Sequence, residues 1–432
     1  MVKTDLRYQS YIKILEEELV PALGCTEPIS LAYASAKAKD ILGCHPEHVI
    51  LEVSGSIIKN VKSVIVPNTH HLKGLEAACA AGIVAGQSEK ELEVIADVND
   101  EEKCRIDDYL KQVKIDVKHV ETGHVFDITV KAYAGAHESL VRICDYHTNI
   151  VRLEKDGEVL FEIDPEVSKP VKEERVDRSL LTMVDIWDFV ESLDTNDVKP
   201  ILDRQIRYNM TIAEEGLLGD YGANIGSVLL QTNGQHVANR AKAYAAAGSD
   251  ARMNGCELPV IINSGSGNQG ITCSVPVIEY AKELHCGKDK LYRALTLSNL
   301  VAIHEKTGIG TLSAYCGAVS AGAGAGAGIA YLQSGDYEAV THTVVNALAI
   351  VSGIVCDGAK ASCAAKIAFS VDAGLMGYAM YRSGQEFKGG DGIVMKDIEA
   401  TIKGIGRLGK DGMRQTNEEI INLMINSGRT VD

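Results

Sequence analysis

Aromatic side chains are scarce in this sequence of 432 residues, which has one Trp, five Phe and 16 Tyr, together 5% of the chain. Hydrophobic residues still make up 46% of it, so a large core can form, mostly from small and aliphatic side chains. A chain of this length is expected to form about two or three domains. The scarcity excludes a core built mainly on aromatic packing.

Positive charge is also in deficit. The chain has 43 Lys and Arg against 59 Asp and Glu, which gives a formal net charge of −16 at pH 7. Such an acidic surface repels the phosphate backbone, and this excludes nucleic acid as an expected partner.

Long apolar runs are missing as well. No window of about 18 residues is continuously apolar, so we predict no transmembrane helix and no membrane partner. The first residues, MVKTDLRYQSYIKILEEELV, are charged and amphipathic and lack the apolar segment of a secretion signal. These features predict a cytoplasmic protein.

Paired cysteine motifs are absent, although the chain has 11 cysteines. Their number is odd, they are scattered, and none forms C-x-x-C, so disulfides and zinc knuckles are not expected. Each cysteine alone is most simply a small buried hydrophobe. Four of them stand beside turn residues, where the backbone can present a thiol: Cys25, Cys316, Cys356 and Cys363.

The two halves of the chain differ in pattern. Residues 5–20 have helical periodicity, and Asp156-Gly157 predicts a hairpin turn. Strands are predicted for the apolar runs that begin at Val49, Val61, Leu92, Gln112, Val125 and Leu140. Beyond the charged link EIDPEVSKPVKEERVDR nearly all patterns are helical. We therefore predict an α+β N-terminal domain (residues 1–175) followed by a mostly α-helical C-terminal domain (residues 176–432) with Gly/Ala-rich close-packed helices.

The clearest Gly/Ala run is AYCGAVSAGAGAGAGIA, which begins at Ala314. Low complexity of this kind often marks a flexible linker. We favour a buried helix whose missing side chains let neighbouring helices approach, because close packing can offset the poor helix propensity of glycine. Cys316 would then stand at the start of the helix, where the amides and the dipole stabilise a thiolate.

The segment NSGSGNQG, from Asn263, matches the G-x-G-x-x-G pattern of dinucleotide-binding loops. That interpretation needs a helix and a second parallel strand, and Pro276 and the helical pattern after it argue against both. Two alternatives stay open: a plain loop, and a nest of backbone amides that binds an anion such as a carboxylate. In the nest, four side chains would add polar contacts: Ser264, Ser266, Asn268 and Gln269.

Histidines give a weaker signal. HEKTG, from His304, is not the zinc motif H-E-x-x-H, because Gly308 stands where the second histidine would be. His137, Asp145 and His147 lie on predicted strands, where a solvated or structural role is the simpler interpretation.

Cys356 and Cys363 are separated by two helical turns in sequence. They would share one face of a continuous helix, or Asp357-Gly358 could form a turn that brings the thiols together. Cys25 follows a helix break in GCTEP and precedes a helix, whose N-terminal dipole would favour the thiolate. With Cys316, these thiols have the ligand chemistry of an iron–sulfur cluster.

Six motifs follow one another along nearly the whole chain: GCTEP, SGSIIKN, NSGSGNQG, HEKTG, YCGAVSAGAGAGAG and CDGAKASC. In this combination the sequence resembles the L-cysteine desulfidase family, which is related to the α-subunit region of iron–sulfur L-serine dehydratases. The resemblance implies that Cys316, Cys356 and Cys363 hold a [4Fe-4S] cluster with one iron open to substrate. The Cys356–Cys363 interval is shorter than in the serine enzymes. Cys25 has no clear counterpart there, and is either a catalytic thiol or the third ligand in place of Cys363.

The reaction implied by the resemblance converts L-cysteine to pyruvate, ammonia and sulfide without pyridoxal phosphate. Cys25, as a thiolate, is the first candidate for the base that takes the Cα proton, and Lys360 and His304 are further candidates. The polar side chains of NSGSGNQG are expected to hold the substrate carboxylate. Two other functions stay open, a serine dehydratase-like enzyme and a non-enzymatic redox or iron-sensing protein. A homodimer is expected only because symmetric dimers are common.

Overall fold

A computed structural model describes residues 1–165, 176–310 and 312–426. The helices are α1 (Leu6–Glu18), α2 (Thr26–Leu42), α3 (Gly55–Val61), α4 (Gly74–Ala85), α5 (Asp100–Gln112), α6 (Met183–Ser192), α7 (Lys199–Leu218), α8 (Ile225–Asn233), α9 (Val237–Met253), α10 (Gly267–Glu283), α11 (Lys288–Ile309), α12 (Gly317–Gln333), α13 (Tyr337–Val351), α14 (Cys363–Arg382), α15 (Ile398–Arg407) and α16 (Arg414–Asn426). The strands are β1 (Pro21–Leu23), β2 (His48–Val53), β3 (Lys114–His119), β4 (Asp127–Ala134), β5 (His137–Cys144), β6 (Ile150–Lys155), β7 (Glu158–Glu162) and β8 (Pro259–Ile261).

The first half is built on a mixed sheet in the order β3-β2-β4-β5-β6-β7. The pair β2–β3 is parallel, and the other neighbours are antiparallel. In β2 the alternating residues Val49, Leu51 and Val53 are fully buried, and α2 and α4 share their apolar cluster. This part confirms the predicted α+β character, including the hairpin between β6 and β7 at Asp156-Gly157.

Two of the predicted strands are wrong. Val61 ends α3, and the residues after it form a loop; the run that begins at Leu92 lies in a short helical turn and the turns that follow. Val66 and Ile95 in these segments are nevertheless completely buried. The runs are therefore apolar because these connections pass through the core, not because they pair in the sheet.

The second half is helical, as predicted, and the Gly/Ala run forms α12 inside it. A Cβ atom at Gly322 would lie 2.4 Å from the Ser370 carbonyl oxygen of α14, and one at Gly324 would lie 2.5 Å from the Ser298 carbonyl oxygen of α11. These distances confirm that the missing side chains let the helices approach. Although α12 is apolar, none of the described helices is long and apolar enough to cross a membrane.

The start of the chain packs with the helical half. Tyr8 and Tyr11 of α1 make edge contacts with Phe189 of α6, and β1 pairs antiparallel with β8. This pairing places Cys25, just after β1, close to the loop that follows β8. The domain boundary proposed at residue 175 falls outside the described residues and stays a prediction.

Candidate active site

The N-termini of four helices meet at one buried cavity. Cys25 is the N-cap of α2, Ser266 of α10 and Cys316 of α12, and Cys363 is the first residue of α14. All four line a cavity of about 110 Å³, together with Cys356. Because helix N-termini carry partial positive charge and free amides, their convergence favours anions such as thiolates and carboxylates at this place.

A short antiparallel bridge holds Cys316 beside Cys356. The Cys316 amide donates to the Ile354 carbonyl at 3.2 Å, and the Cys356 amide donates to the Ala314 carbonyl at 2.6 Å. The two thiol groups are close enough to shift each other's pKa, that of Cys316 upward and that of Cys356 downward. Residues on either side of α12 and α13 are thereby brought together.

A turn then brings Cys363 to the same cavity. Gly358 has a φ of +94°, and a Cβ atom there would lie 2.0 Å from the Lys59 carbonyl oxygen, so this position requires glycine. The Cys363 sulfur ends 3.6 Å from the Gly358 carbonyl oxygen. Of the two arrangements open from the sequence, the structure has the turn, because α14 begins only at Cys363.

Two buried lysines supply positive charge next to these thiols. The Lys59 ammonium donates to Asn417 Oδ1 at 2.6 Å and to the Cys356 carbonyl at 3.3 Å, and Lys306 lines the cavity. The neighbouring Cys316 thiol, followed by Lys59 and Lys306, lowers the pKa of Cys356 well below its ordinary value. Burial lowers the pKa of Lys306 to about 8. One thiolate is therefore stabilised in this cavity by the protein alone.

Cys25 behaves differently from the expected thiolate. Its sulfur lies 3.0 Å from Glu27 Oε2, an acceptor that Thr26 Oγ1 also approaches, at 3.1 Å. Burial and the nearby Glu27 carboxylate raise the pKa of Cys25 well above its ordinary value, although Arg252 opposes this. The loss of hydration thus outweighs the dipole of α2, and Cys25 is a thiol that donates to Glu27.

The NSGSGNQG segment contributes three of its four predicted side chains to the cavity: Ser266, Asn268 and Gln269. Ser264, with a φ of +49°, donates instead to Asn263 Oδ1 at 2.8 Å and lines a neighbouring cavity of about 990 Å³. The segment is not a dinucleotide-binding loop, because β8 pairs antiparallel with β1 and no parallel strand accompanies it in the described chain. Contrary to expectation, α10 continues through Pro276.

Two predicted base candidates point elsewhere. His304 Nε2 lies 3.0 Å from a carboxylate oxygen of Glu399, and Lys360 forms an ion pair with Asp357; neither lines the cavity. In HEKTG it is Lys306 that lines the cavity, and Lys306 also lines the neighbouring cavity. Helical geometry explains this, since residues two positions apart face different directions.

Other residues at the cavity were missed by the sequence reasoning. Glu27 and Lys306 lie inside GCTEP and HEKTG, so those motifs carried a signal for them. Arg252 lies near the end of α9, outside every motif, and only the fold brings it here. His147 lines the neighbouring cavity instead, beside Gly265, and burial lowers its pKa.

A separate group of metal-ligand residues lies outside the cavity. Ligand atoms of His124, Cys144 and Asp145 lie within 4.8 Å of one another. A hydrogen bond of 3.1 Å joins His124 Nδ1 and Asp145 Oδ1, which agrees with the structural role expected for Asp145. None of the three lines the four-cysteine cavity.

The donor set of the cavity fits an iron–sulfur cluster. Four soft sulfur ligands are available within one buried space, and helix N-termini and lysines can balance the negative charge that thiolates and cluster sulfides bring. Glu27, which accepts from Cys25, is the only carboxylate among the described residues that line the cavity, so soft sulfur ligands predominate at Cys316, Cys356 and Cys363.

Comparisons with known proteins identify the family of the chain. A UPF0597 protein of Desulfitobacterium hafniense is 58% identical over 429 residues, which cover 99% of each chain. A UPF0597 protein of Lachnoclostridium phytofermentans is 52% identical over 419 residues, 97% of this chain and 100% of the other. The family model described as Serine dehydratase alpha chain matches residues 89–422, a range that contains Cys316, Cys356 and Cys363 and begins after Cys25. The chain belongs to the serine dehydratase alpha chain family, and this membership indicates a lyase of the iron–sulfur type.

Proposed function

We propose that this protein is an iron–sulfur L-cysteine desulfidase, which eliminates sulfide from L-cysteine to give pyruvate and ammonia. The observation that carries the proposal is the meeting of four thiols, four helix N-termini and a buried lysine at one small cavity. Family membership supports the class of reaction, and the resemblance of the sequence motifs supports the substrate.

Cys316, Cys356 and Cys363 are the proposed ligands of a [4Fe-4S] cluster. When bound, the cluster supplies an iron that acts as a Lewis acid toward the leaving group. Soft metal centres prefer sulfur over oxygen ligands, and this favours cysteine over serine as the substrate. The roles of the protein in this scheme are to hold the ligands, bind the amino acid and move its protons.

The elimination requires a base for the Cα proton. The Cys25 thiol donates to Glu27, so transfer of its proton to that carboxylate leaves a thiolate that can accept the Cα proton. The amine of Lys306, which lines the same cavity, is the second candidate. His304 and Lys360 are no longer favoured, because their side chains are paired outside the cavity.

The proposed reaction balances without an external oxidant or reductant. The electron pair of the Cα–H bond forms the Cα–Cβ double bond, and the Cβ–S bond breaks with its electrons on sulfur. The resulting enamine takes up water and yields pyruvate and ammonia. The small volume of the cavity limits the water that can reach the reacting atoms.

The experiment is an anaerobic purification followed by a comparison of substrates. We expect a brown protein that contains iron and acid-labile sulfide and releases sulfide from L-cysteine faster than it forms pyruvate from L-serine. A colourless protein that also resists cluster reconstitution would overturn the proposal. Faster turnover of L-serine would favour a serine dehydratase instead, and a cluster without turnover would favour a redox or iron-sensing protein.

A further inference from the structure

We propose that Arg252 binds the α-carboxylate of the substrate, and that the carboxamides of Asn268 and Gln269 accept hydrogen bonds from its ammonium group. The inference deepens the proposed function and rests on it for the chemistry at the thiols. It names the substrate class as a free α-amino acid in its zwitterionic form. Nothing in the sequence motifs points to Arg252.

Arg252 is a buried cation without a partner in the described part of the chain. Its side chain is only 2% exposed and lines the four-cysteine cavity. Its Nε has no hydrogen-bond acceptor, and no ion pair involves its guanidinium group among the described residues. An arginine stays charged at all physiological pH values, and a buried charge without a counterion is energetically costly.

The surroundings of Arg252 do not supply the missing negative charge. The carboxylate of Glu27, which also lines the cavity, accepts from the Cys25 thiol and the Thr26 hydroxyl and forms no ion pair with Arg252 among the described residues. A Cβ atom at Gly267, the first residue of α10, would lie 2.3 Å from Arg252 Nε. The guanidinium therefore lies against the positive end of that helix. The C-terminal dipole of α9, on which Arg252 sits, offsets only part of its charge.

A carboxylate from a ligand satisfies all of these features. Guanidinium groups bind carboxylates through two parallel hydrogen bonds, and the free amides at the start of α10 can add further donors. Glycine at position 267 leaves room for the Arg252 side chain itself, which lies against the start of α10. The geometry thus moves the carboxylate site from the serine side chains expected from the sequence to Arg252.

The same cavity has groups of opposite polarity for an ammonium ion. Asn268 Oδ1 and Gln269 Oε1 are buried there and have no hydrogen-bond donor among the described residues. Unpaired buried acceptors of this kind are uncommon unless a ligand completes them. A donor without an acceptor and two acceptors without donors, beside four thiols, match an amino acid zwitterion.

The test uses the anaerobically purified, cluster-containing protein and two unreactive probes, L-alanine and L-alaninamide. The amide lacks the carboxylate but keeps the ammonium group. We expect the wild type to bind L-alanine more tightly than the amide in calorimetry. Arg252→Met should weaken the binding of L-alanine by about 10- to 100-fold and leave the binding of L-alaninamide unchanged.

Arg240→Met is the matched control, because Arg240 lies on the same helix and is paired with Glu279 and Glu283 away from the cavity. It should bind both probes as the wild type does. Arg252→Lys, which keeps the charge, should lie between the wild type and Arg252→Met. Iron content and the visible spectrum report whether each variant keeps its cluster and fold.

Unchanged binding of L-alanine to Arg252→Met overturns the inference. So does a result in which both variants, Arg252→Met and Arg252→Lys, keep the cluster but lose affinity for L-alanine and for L-alaninamide to the same extent. Because neither probe is turned over, this result is independent of sulfide release. If the wild type releases no sulfide from L-cysteine but binds L-alanine, and Arg252→Met binds L-alanine more weakly, the proposed reaction fails and the carboxylate site stands.

Discussion

The side chains of Cys316 and Cys356 meet at one cavity, although two complete helices, α12 and α13, separate them along the chain. The backbone makes this contact, because each cysteine amide donates across the same antiparallel bridge. The neighbouring Cys316 thiol, Lys59 and Lys306 lower the pKa of Cys356 and so favour its ionised form. Two ligand atoms for a soft metal are therefore positioned before any metal binds.

Cys316→Ala should abolish cluster binding, because it removes one of these two preorganised sulfurs. We expect iron and acid-labile sulfide to fall to background in protein purified without oxygen, while far-ultraviolet circular dichroism stays unchanged. Cys44→Ala is the control, since Cys44 is exposed and does not line the cavity. Full iron content in Cys316→Ala would contradict its assignment as a ligand.

A second pair of variants distinguishes the roles of Cys25 and Cys363. Cys363→Ala should lose the cluster, whereas Cys25→Ala should keep it and lose at least about 100-fold in turnover, as expected for a missing proton-transfer group. Cys104→Ala, at an exposed position, should change neither property. The opposite pattern, with the cluster lost only in Cys25→Ala, would make Cys25 the third ligand.

Gly324→Val should damage the fold rather than the chemistry. A Cβ atom at Gly324 would meet the Ser298 carbonyl oxygen at 2.5 Å, and this oxygen belongs to the backbone of α11, which cannot move aside as a flexible side chain could. Overpacking of this kind costs about 3 kcal/mol or more of unfolding free energy. Gly353→Val, where no atom lies within 4 Å of the added Cβ, is the control for denaturant unfolding. Equal midpoints for the two variants would refute the close packing of α12.

Asp250 gives a pH-dependent prediction. Burial raises its pKa to about 7, although the amides of Gly226 and Ile225 at the start of α8 oppose the shift. The folded protein therefore binds this proton more tightly than the unfolded chain, and the stability that the proton contributes is present below about pH 4 and lost as the pH rises to about 7.

Asp250→Asn removes this titration. The unfolding free energy of the wild type should fall relative to that of the variant between about pH 4 and pH 7, by an amount on the order of 3 kcal/mol. Above that range the difference between the two proteins should stay constant. Urea unfolding at several pH values measures the difference. A difference that does not change with pH would show that Asp250 is not the titrating group.

Sequence reasoning succeeded where the signal was local. Turn residues and helix starts beside Cys25 and Cys316 are encoded by their immediate neighbours, and so is the buried Gly/Ala helix. Before Cys363 the sequence left a continuous helix and a turn open, and the structure has the turn. The sheet was overpredicted at Val61 and Leu92, because periodicity cannot distinguish a buried connection from a strand.

The site residues that were missed depend on contacts between distant segments. Arg252 reaches the cavity only because α9 packs beside α10. On α11 the side chain that lines the cavity is Lys306 and not His304, because residues two positions apart on a helix face different directions. The charge state of Cys25 also escaped prediction. The dipole of α2 was visible in the sequence, but the burial that outweighs it and the orientation of Glu27 toward the thiol were not.

The most direct test of the account is the product stoichiometry of the anaerobically purified protein with L-cysteine. We predict that sulfide and pyruvate appear in equal amounts, that their formation depends on Cys316, and that L-serine yields pyruvate more slowly. A cluster-loaded protein that forms neither product from L-cysteine, or that prefers L-serine, would contradict the assignment as an L-cysteine desulfidase.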